Sequence, residues 1–278
     1  MDDDPVLLEV KGGVAVLTLN RPDRHNAMGD ATDALLFRYL DLLRADRDVR
    51  VVVWRGNGES FSAGRDVAEL VGEVEGDDDS VGKARRHAHR HGFGASDFDV
   101  LDRGHWGVRL LYDFPVPIVC ALKGWTLGTS FERALLCDLR VAGESTKVGL
   151  PGMDHGLIPD SAGVAKLFEI GGSALALDLA LTGRKVEADE ALRLGLVSHV
   201  VPDDDLDEVV LDMARGIAER PPLVVRLLRE QVQALAVEGV RGTLGRELVS
   251  QTLVLASHDF REQRLAREED REPRYARR

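Results

Sequence analysis

The feature that most constrains the fold of this chain is its repeated alternation of strand-like and helix-like segments. Short apolar runs predict buried strands, and apolar residues spaced by three and four predict helices. Such alternation is typical of α/β folds, in which helices connect the strands of a sheet. In chain order the predicted segments are a hairpin (Leu7–Val10, Val14–Leu19), a helix (Asp30–Leu43), a strand (Val51–Trp54), a helix (Asp66–Val71), a strand (Ile118–Leu122), a helix (Phe131–Cys137) and a strand (Leu139–Ala142). From Ser161 onward, helical patterns dominate.

Two of the connections between strand and helix are rich in glycine and small residues. Gly124–Glu132 reads Gly-Trp-Thr-Leu-Gly-Thr-Ser-Phe-Glu, and Phe61–Asp66 reads Phe-Ser-Ala-Gly-Arg-Asp. A loop that opens a helix can direct backbone N–H groups at an anion, and small residues let another molecule approach closely. Each loop alone is also compatible with an ordinary connection, and an acid such as Glu132 often only complements the helix dipole. Two such loops together favour a site that stabilises an oxyanion, such as an enolate.

Several motifs, taken in chain order, resemble the crotonase, or enoyl-CoA hydratase/isomerase, superfamily. They are Asn20-Arg21-Pro22 with Asn26-Ala27-Met28, Phe61–Asp66, Gly124–Asp138, Gly156–Asp160, and the ending from Ser257 to Tyr275. The resemblance covers nearly the whole chain. It implies a core built from ββα spiral turns that binds acyl-CoA, over residues 1–202. It also implies a helical C-terminal part, residues 203–278, that covers the site and builds homotrimers or hexamers.

Composition narrows the class of partner. The chain has 278 residues and is 44% hydrophobic, which is enough for a large core. Its net charge of −12 argues against nucleic-acid binding, which requires a basic face. Cys120 and Cys137 lie in apolar runs and are predicted to be reduced core residues of a cytoplasmic protein. The acidic start, Met1–Pro5, has no signal-peptide pattern, and no apolar run approaches the roughly 20 residues that span a membrane.

Residues 72–104 interrupt the alternation. The segment is polar and carries histidine at positions 87, 89 and 91. Alternating histidines can indicate a metal site, but no cysteine or carboxylate spacing completes one, so no metal is expected. A solvated lid is the preferred interpretation. The resemblance implies that this region shapes the acyl pocket.

The resemblance assigns roles to the two loops and to two carboxylates. The backbone N–H groups of Arg65 and Thr129 would bind the thioester oxygen, and Glu132 matches the first catalytic glutamate of the hydratases. The second hydratase glutamate would fall at Gly152, so two-carboxylate hydration is in question. Asp160 matches an aspartate used by some isomerases of the family. On the residues alone, the preferred role for Asp160 is the N-cap of the helix that follows it; with the resemblance, a catalytic role is preferred.

The resemblance also predicts substrate contacts. Large apolar side chains, Trp106 and Trp125, are candidates for the acyl pocket, although core packing explains them equally well. Coenzyme A is part of the substrate here, so no separate cofactor is expected. The predicted CoA-binding residues are Arg24, His25, Ala27, Ala63, Asp66 and Val67; for the first two, a solvated turn is the alternative.

These assignments predict an enzyme that acts on an acyl-CoA thioester through an enolate. Double-bond isomerisation is preferred, because Gly152 removes a carboxylate that hydration requires. An enoyl-CoA hydratase, with Asp160 in place of the lost glutamate, is the alternative. A non-catalytic acyl-CoA-binding protein is the alternative of a different class. The expected partners are an acyl-CoA and further copies of the chain, with no nucleic acid and no membrane.

Overall fold

The computed structural model describes residues 4–66, 69, 105–155, 157–235, 253 and 257–275. Residues 105–112 and 222–235 are helical, and short 3-10 turns cover Pro22–Arg24, Pro151–His155 and Asp203–Asp205. The strands are β1 (Val6–Lys11), β2 (Val14–Leu19), β3 (Val51–Gly56), β4 (Ile118–Leu122), β5 (Trp125–Leu127), β6 (Leu139–Gly143), β7 (Lys147–Gly149), β8 (Lys185–Glu187) and β9 (His199–Val201). The other helices are α1 (Asp30–Ala45), α2 (Thr129–Leu136), α3 (Gly163–Thr182), α4 (Ala188–Arg193), α5 (Leu206–Ala218) and α6 (His258–Glu268).

The larger sheet has the strand order β1-β2-β3-β4-β6-β9. Strands β1 and β2 form the predicted antiparallel hairpin, and every later pair in this sheet is parallel. Parallel neighbours require crossover connections, which the helices between them supply. The predicted α/β class is therefore confirmed, as are the predicted strands and the helix that became α1.

A second sheet, β5-β7-β8, gives the chain its spiral. Strand β4 lies in the larger sheet, β5 in the smaller one, and α2 follows; β6, β7 and α3 repeat that ββα order. After β3, Ser62 makes a parallel bridge with Thr126 of β5, so the preceding turn of the chain also reaches the smaller sheet. The predicted helix Asp66–Val71 and the predicted lid, 72–104, fall almost entirely outside the described residues.

Both faces of the larger sheet are buried, which is characteristic of parallel sheets. Along β3, Val52 and Trp54 face the cluster that contains α1, whereas Val51 and Val53 face α5. This alternation follows from the two-residue period of a strand. Helix α5 packs on the sheet through Leu206, Val210 and Ala214. The beginning of the C-terminal region thus covers one face of the sheet. The domain boundary at residue 203 stays a prediction.

Three short strands differ from the sequence-based expectation, and a fourth, β7, lies in a stretch for which no element was predicted. Strands β8 and β9 lie in the region where helical patterns dominate, and β5 occupies part of the segment that was expected to be a loop. Each has only three residues, too few for a periodic signal. Pairing with β6 and β7 decides their conformation. Among the described helices, none combines the length and apolar character that a bilayer crossing requires.

Candidate active site

The two glycine-containing loops lie against each other, backbone to backbone. Leu127 N donates to Ser62 O at 3.0 Å, and Ser62 N donates to Trp125 O at 2.9 Å. The hydroxyl of Ser130 also donates to Ser62 O, at 2.8 Å. Gly64 has a φ of +97°, and a Cβ at this position would lie 2.5 Å from Leu127 O. Only glycine permits this contact, so the small residues of the sequence motif serve to join the loops.

Arg65 directly follows Gly64, and Thr129 comes two residues after Leu127, so both N–H groups lie close in the chain to that contact. Arg65 forms a parallel bridge with Met28, in which the flanking residues make the hydrogen bonds: Met28 N donates to Gly64 O at 2.8 Å and Asp66 N to Met28 O at 3.1 Å. The N–H of Arg65 is therefore directed away from Met28. Thr129 is the first residue of α2, where an N–H has no intrahelical acceptor. Neither group donates to an acceptor within the described part of the chain.

Glu132 lies in the first turn of α2 and is only 2% exposed. Its Oε2 accepts hydrogen bonds from Ser161 N at 2.8 Å and Gly163 N at 3.0 Å. A Cβ at Gly163 would overlap the Glu132 side chain, so that glycine makes room for the carboxyl. Burial raises the pKa of Glu132, the two backbone donors lower it in part, and the charge of Asp160 raises it further. The group is thus a fixed carboxyl that retains its proton to a higher pH than an exposed glutamate.

Asp160 does not cap the helix that follows it, so the N-cap role predicted from the sequence was wrong. Helix α3 begins at Gly163, and its N-cap is Ala162, which has a φ of +68° and makes no side-chain cap bond. Glu132, from another helix, binds the N–H groups at this end instead. The Asp160 side chain is exposed, and its backbone O lies 3.0 Å from Nε2 of His105.

Gly152 lies on the 3-10 turn Pro151–His155. Leu157 N donates to Gly152 O at 2.9 Å, and a Cβ at Gly152 would lie 3.0 Å from Leu157 O. The turn is therefore closely packed where hydratases of the family are expected to carry their second glutamate. This position contributes no carboxylate to the site.

The predicted CoA-binding residues before and after β3 lie together. His25 and its neighbour Asn26 both have left-handed backbone conformations, and Ala63 N donates to His25 O at 2.8 Å. Arg24 forms an ion pair with Asp66 at 3.3 Å. Ala27 belongs to the same turn, because its O accepts from Arg21, the second partner of Asp66. Val67 lies outside the described residues.

The two tryptophans have different surroundings. Trp106 is half-exposed and meets the ring of Phe37 edge-on, with 6.2 Å between the centroids. The ring of Trp125 lies 5.7 Å from the ammonium of Lys147 and 5.9 Å from that of Lys185. No contact joins the two tryptophans within the described residues.

Sequence reasoning missed a buried ionic network beside the loops. Arg133, which follows Glu132, donates to both carboxylate oxygens of Asp33, at 2.6 and 2.9 Å. Arg65 pairs with the same Asp33 at 3.1 Å and also with Asp30. An arginine inside the apolar run Phe131–Cys137 was the available signal, because a charge in such a run requires a partner.

The described residues contain no group of three or more His, Cys, Asp or Glu side chains that is arranged to hold a metal ion. The histidines at 87, 89 and 91 lie outside those residues.

Comparisons with known proteins identify the family and the fold of the chain. The sequence profile of the enoyl-CoA hydratase/isomerase family matches residues 9–278. The chain belongs to that family, and it is an enzyme of the crotonase superfamily. The crystal structure of an enoyl-CoA hydratase from Bacillus anthracis is similar, with a TM-score of 0.84, 27% identity and coverage of 98% of each chain.

Relatives with different reactions are about equally similar. The 2,3-dehydroadipyl-CoA hydratase of Escherichia coli (strain K12) is 30% identical over 90% of this chain and 89% of its own length. The 1,2-epoxyphenylacetyl-CoA isomerase of the same organism is 30% identical over 92% of both proteins. The comparisons therefore show the family of this chain, but they do not distinguish between the reactions of its relatives.

The burial of Glu132 generates a prediction about stability. Glu132→Gln keeps an oxygen for the Ser161 and Gly163 N–H groups and removes the buried charge, so we expect it to raise the melting temperature at pH 8. The folded-state pKa is raised, so the native state binds extra protons between about 4.5 and that pKa, and wild-type stability falls as pH rises through this window. Below this window the difference should vanish.

Thermal unfolding at pH 8 and pH 4 measures this difference. Exposed Glu9→Gln on β1 is the control, because it removes a charge without relieving burial. A Glu132→Gln variant that is less stable than wild type at pH 8 would contradict the pKa direction.

Proposed function

We propose that this enzyme moves a carbon–carbon double bond within an enoyl-CoA thioester through an enolate. The observation that carries the proposal is the pair of neighbouring carboxyls, Glu132 and Asp160, combined with a glycine at 152. Isomerisation requires a carboxylate that carries a proton between two carbons, and it requires no activated water.

In this mechanism the N–H groups of Arg65 and Thr129 hold the thioester oxygen. The joined loops support this role, because Arg65 and Thr129 come one and two residues after the contacting residues Gly64 and Leu127. Donors that are already in place stabilise negative charge as it develops, without reorganisation. Their side chains do not take part in this function.

Asp160 is the proposed proton carrier. Its carboxylate removes a proton from C2 of a 3-enoyl-CoA, and the electron pair moves onto the thioester oxygen as a dienolate. The proton is then returned to C4, which leaves the double bond between C2 and C3. Glu132, whose pKa is raised by burial, is a second proton-transfer group beside the same carbons.

Hydration is the second candidate, and the similarity to named hydratases favours it. Asp160 would then replace the missing carboxylate at Gly152. One carboxyl would take a proton from the water molecule while the water oxygen bonds to C3. The other carboxyl would deliver a proton to C2. Both candidates use the same loops and the same enolate.

The deciding experiment uses deuterium oxide. Short, long and aromatic 2-enoyl- and 3-enoyl-CoAs are incubated with the enzyme, and the product masses are read. Deuterium incorporation without addition of water supports isomerisation. Addition of water identifies a hydratase. Tight binding with neither result would overturn both reactions and leave acyl-CoA binding as the function.

Thr129→Pro should abolish turnover in a folded protein. Proline is well accepted at the first position of a helix, where Thr129 lies, but it has no N–H. Loss of one oxyanion donor lowers kcat by about 100- to 1,000-fold. Thr129→Ala is the matched control, since it removes the side chain and keeps the N–H. Wild-type kcat in the proline variant would remove Thr129 from the mechanism.

Asp160→Asn should stop exchange of the C2 proton without a change in melting temperature, because an amide does not accept the proton and Asp160 caps no helix. Under isomerisation, Glu132→Gln should reduce the rate less; under hydration, both changes should be severe. Deuterium exchange and thermal unfolding on the same samples provide the measurement. Asp154→Asn, on the turn next to Gly152, is the control and should exchange normally. Unchanged exchange in Asp160→Asn would eliminate its proposed role.

For the remainder of the substrate, we propose that the turn containing Arg24, His25 and Ala27 binds the CoA phosphates and adenine together with Ala63. The ion pair between Arg24 and Asp66 places a guanidinium at this turn. Val67 and the two tryptophans stay candidates for CoA and acyl contacts.

We also propose that the chain assembles as a homotrimer or as a dimer of trimers. Exposed apolar side chains support assembly, since large apolar patches on a surface usually mark an interface. Sedimentation equilibrium should give a mass that is a multiple of three chains of 30.5 kDa, and a monomer would contradict the proposal. The side chains in question include Ile158, Phe168, Leu177, Leu181, Leu228 and Val232.

A further inference from the structure

A four-residue ionic network, Asp30, Asp33, Arg65 and Arg133, connects three separate segments of the chain. Asp33 Oδ1 accepts from Arg133 at 2.6 Å, and Asp33 Oδ2 accepts from Arg133 at 2.9 Å and from Arg65 at 3.1 Å. Asp30 forms the second ion pair of Arg65. Two aspartates on α1 therefore hold one arginine from the first loop and one from α2.

The network is largely removed from solvent. The side chain of Arg133 is 3% exposed, and that of Arg65 is 19% exposed. The guanidinium of Arg133 also lies 5.1 Å from the centre of the Phe37 ring. Burying charged groups costs free energy unless each one keeps its ion pairs and hydrogen bonds in good geometry. The four side chains are therefore held rigidly in this arrangement.

The two arginines occupy positions that matter for the proposed chemistry. Arg65 carries one of the two backbone N–H groups, and Arg133 lies one residue after Glu132 on the helix that begins with Thr129. Any movement of the first loop relative to α2 would change the separation of the two N–H groups. The side chains of the network oppose that movement, because both arginines bind the same carboxylate of Asp33.

We propose that Asp33 and the side chain of Arg65 are positioning residues that set the separation of the two oxyanion donors. This inference rests on the proposed function, since it gives the network a role in holding the enolate. Arg65 then has two separate tasks: its backbone N–H donates to the thioester oxygen, and its guanidinium anchors the loop. Hydrogen-bond donors that are displaced by as little as about 1 Å lose much of their effect on the transition state.

The test separates these two tasks with Arg65→Met, which keeps the backbone N–H of residue 65 and removes the anchor. The expected result is a kcat lower by about 10- to 100-fold. KM for the acyl-CoA should stay within about twofold of wild type, because the donors act mainly on the transition state. Arg55→Met is the matched control: it removes the ion pair of Arg55 with Asp207, on a side chain that is 25% exposed, and should keep the wild-type kcat.

A second variant, Arg65→Lys, covers the case in which Arg65→Met does not fold. Lysine retains the charge against Asp30 and Asp33, but a single ammonium does not reproduce the two-pronged geometry of a guanidinium. Its kcat should lie below that of wild type and above that of the methionine variant. A wild-type kcat in Arg65→Lys would overturn the inference.

The remaining outcomes distinguish this inference from the proposed function. Wild-type enzyme that neither exchanges deuterium nor adds water overturns both. Active wild-type enzyme with an Arg65→Met kcat equal to that of Arg55→Met overturns only the positioning role. A rise in KM at constant kcat also overturns it, because that pattern indicates a contact made equally to substrate and transition state.

Discussion

The close backbone contact between the loops after β3 and β5 is the constraint on which the candidate site depends. It requires Gly64, whose missing side chain leaves room for the carbonyl of Leu127, and it is secured by hydrogen bonds that centre on Ser62. The proposed oxyanion donors depend on this contact, since Arg65 directly follows Gly64 and Thr129 comes two residues after Leu127. The spiral of ββα turns places the two loops side by side, so the position of the candidate site follows from the fold.

Glu132 connects the stability of the fold with the proposed function. Its carboxyl satisfies two N–H groups at the start of α3, which no side chain of the local sequence caps. The same burial raises its pKa, because a charged carboxylate is poorly accommodated away from water. A buried carboxyl of this kind costs stability in its charged form, and active sites commonly retain such groups because the shifted pKa suits proton transfer.

Much of the site was predictable from sequence, for reasons that particular residues illustrate. Gly64 and Gly124 lie where backbone groups approach one another. The order of motifs led to the family that the comparisons then showed. The capping role expected for Asp160 was wrong because the competing acceptor, Glu132, comes from a helix 28 residues earlier in the chain. The ionic network was missed because Asp33, Arg65 and Arg133 are each unremarkable in their own segments.

By itself, the sequence determined the class of fold, the chain order of the longer strands and helices, and the two loops that carry the candidate donors. These depend on local apolar periodicity and on glycine at defined positions, both of which can be read over a few residues. Only the tertiary structure decided that Glu132 binds the start of α3, that Asp33 joins Arg65 to Arg133, and that three-residue segments become strands. Those features arise from contacts between parts of the chain that are distant in sequence. Such contacts are strong because they are buried away from water.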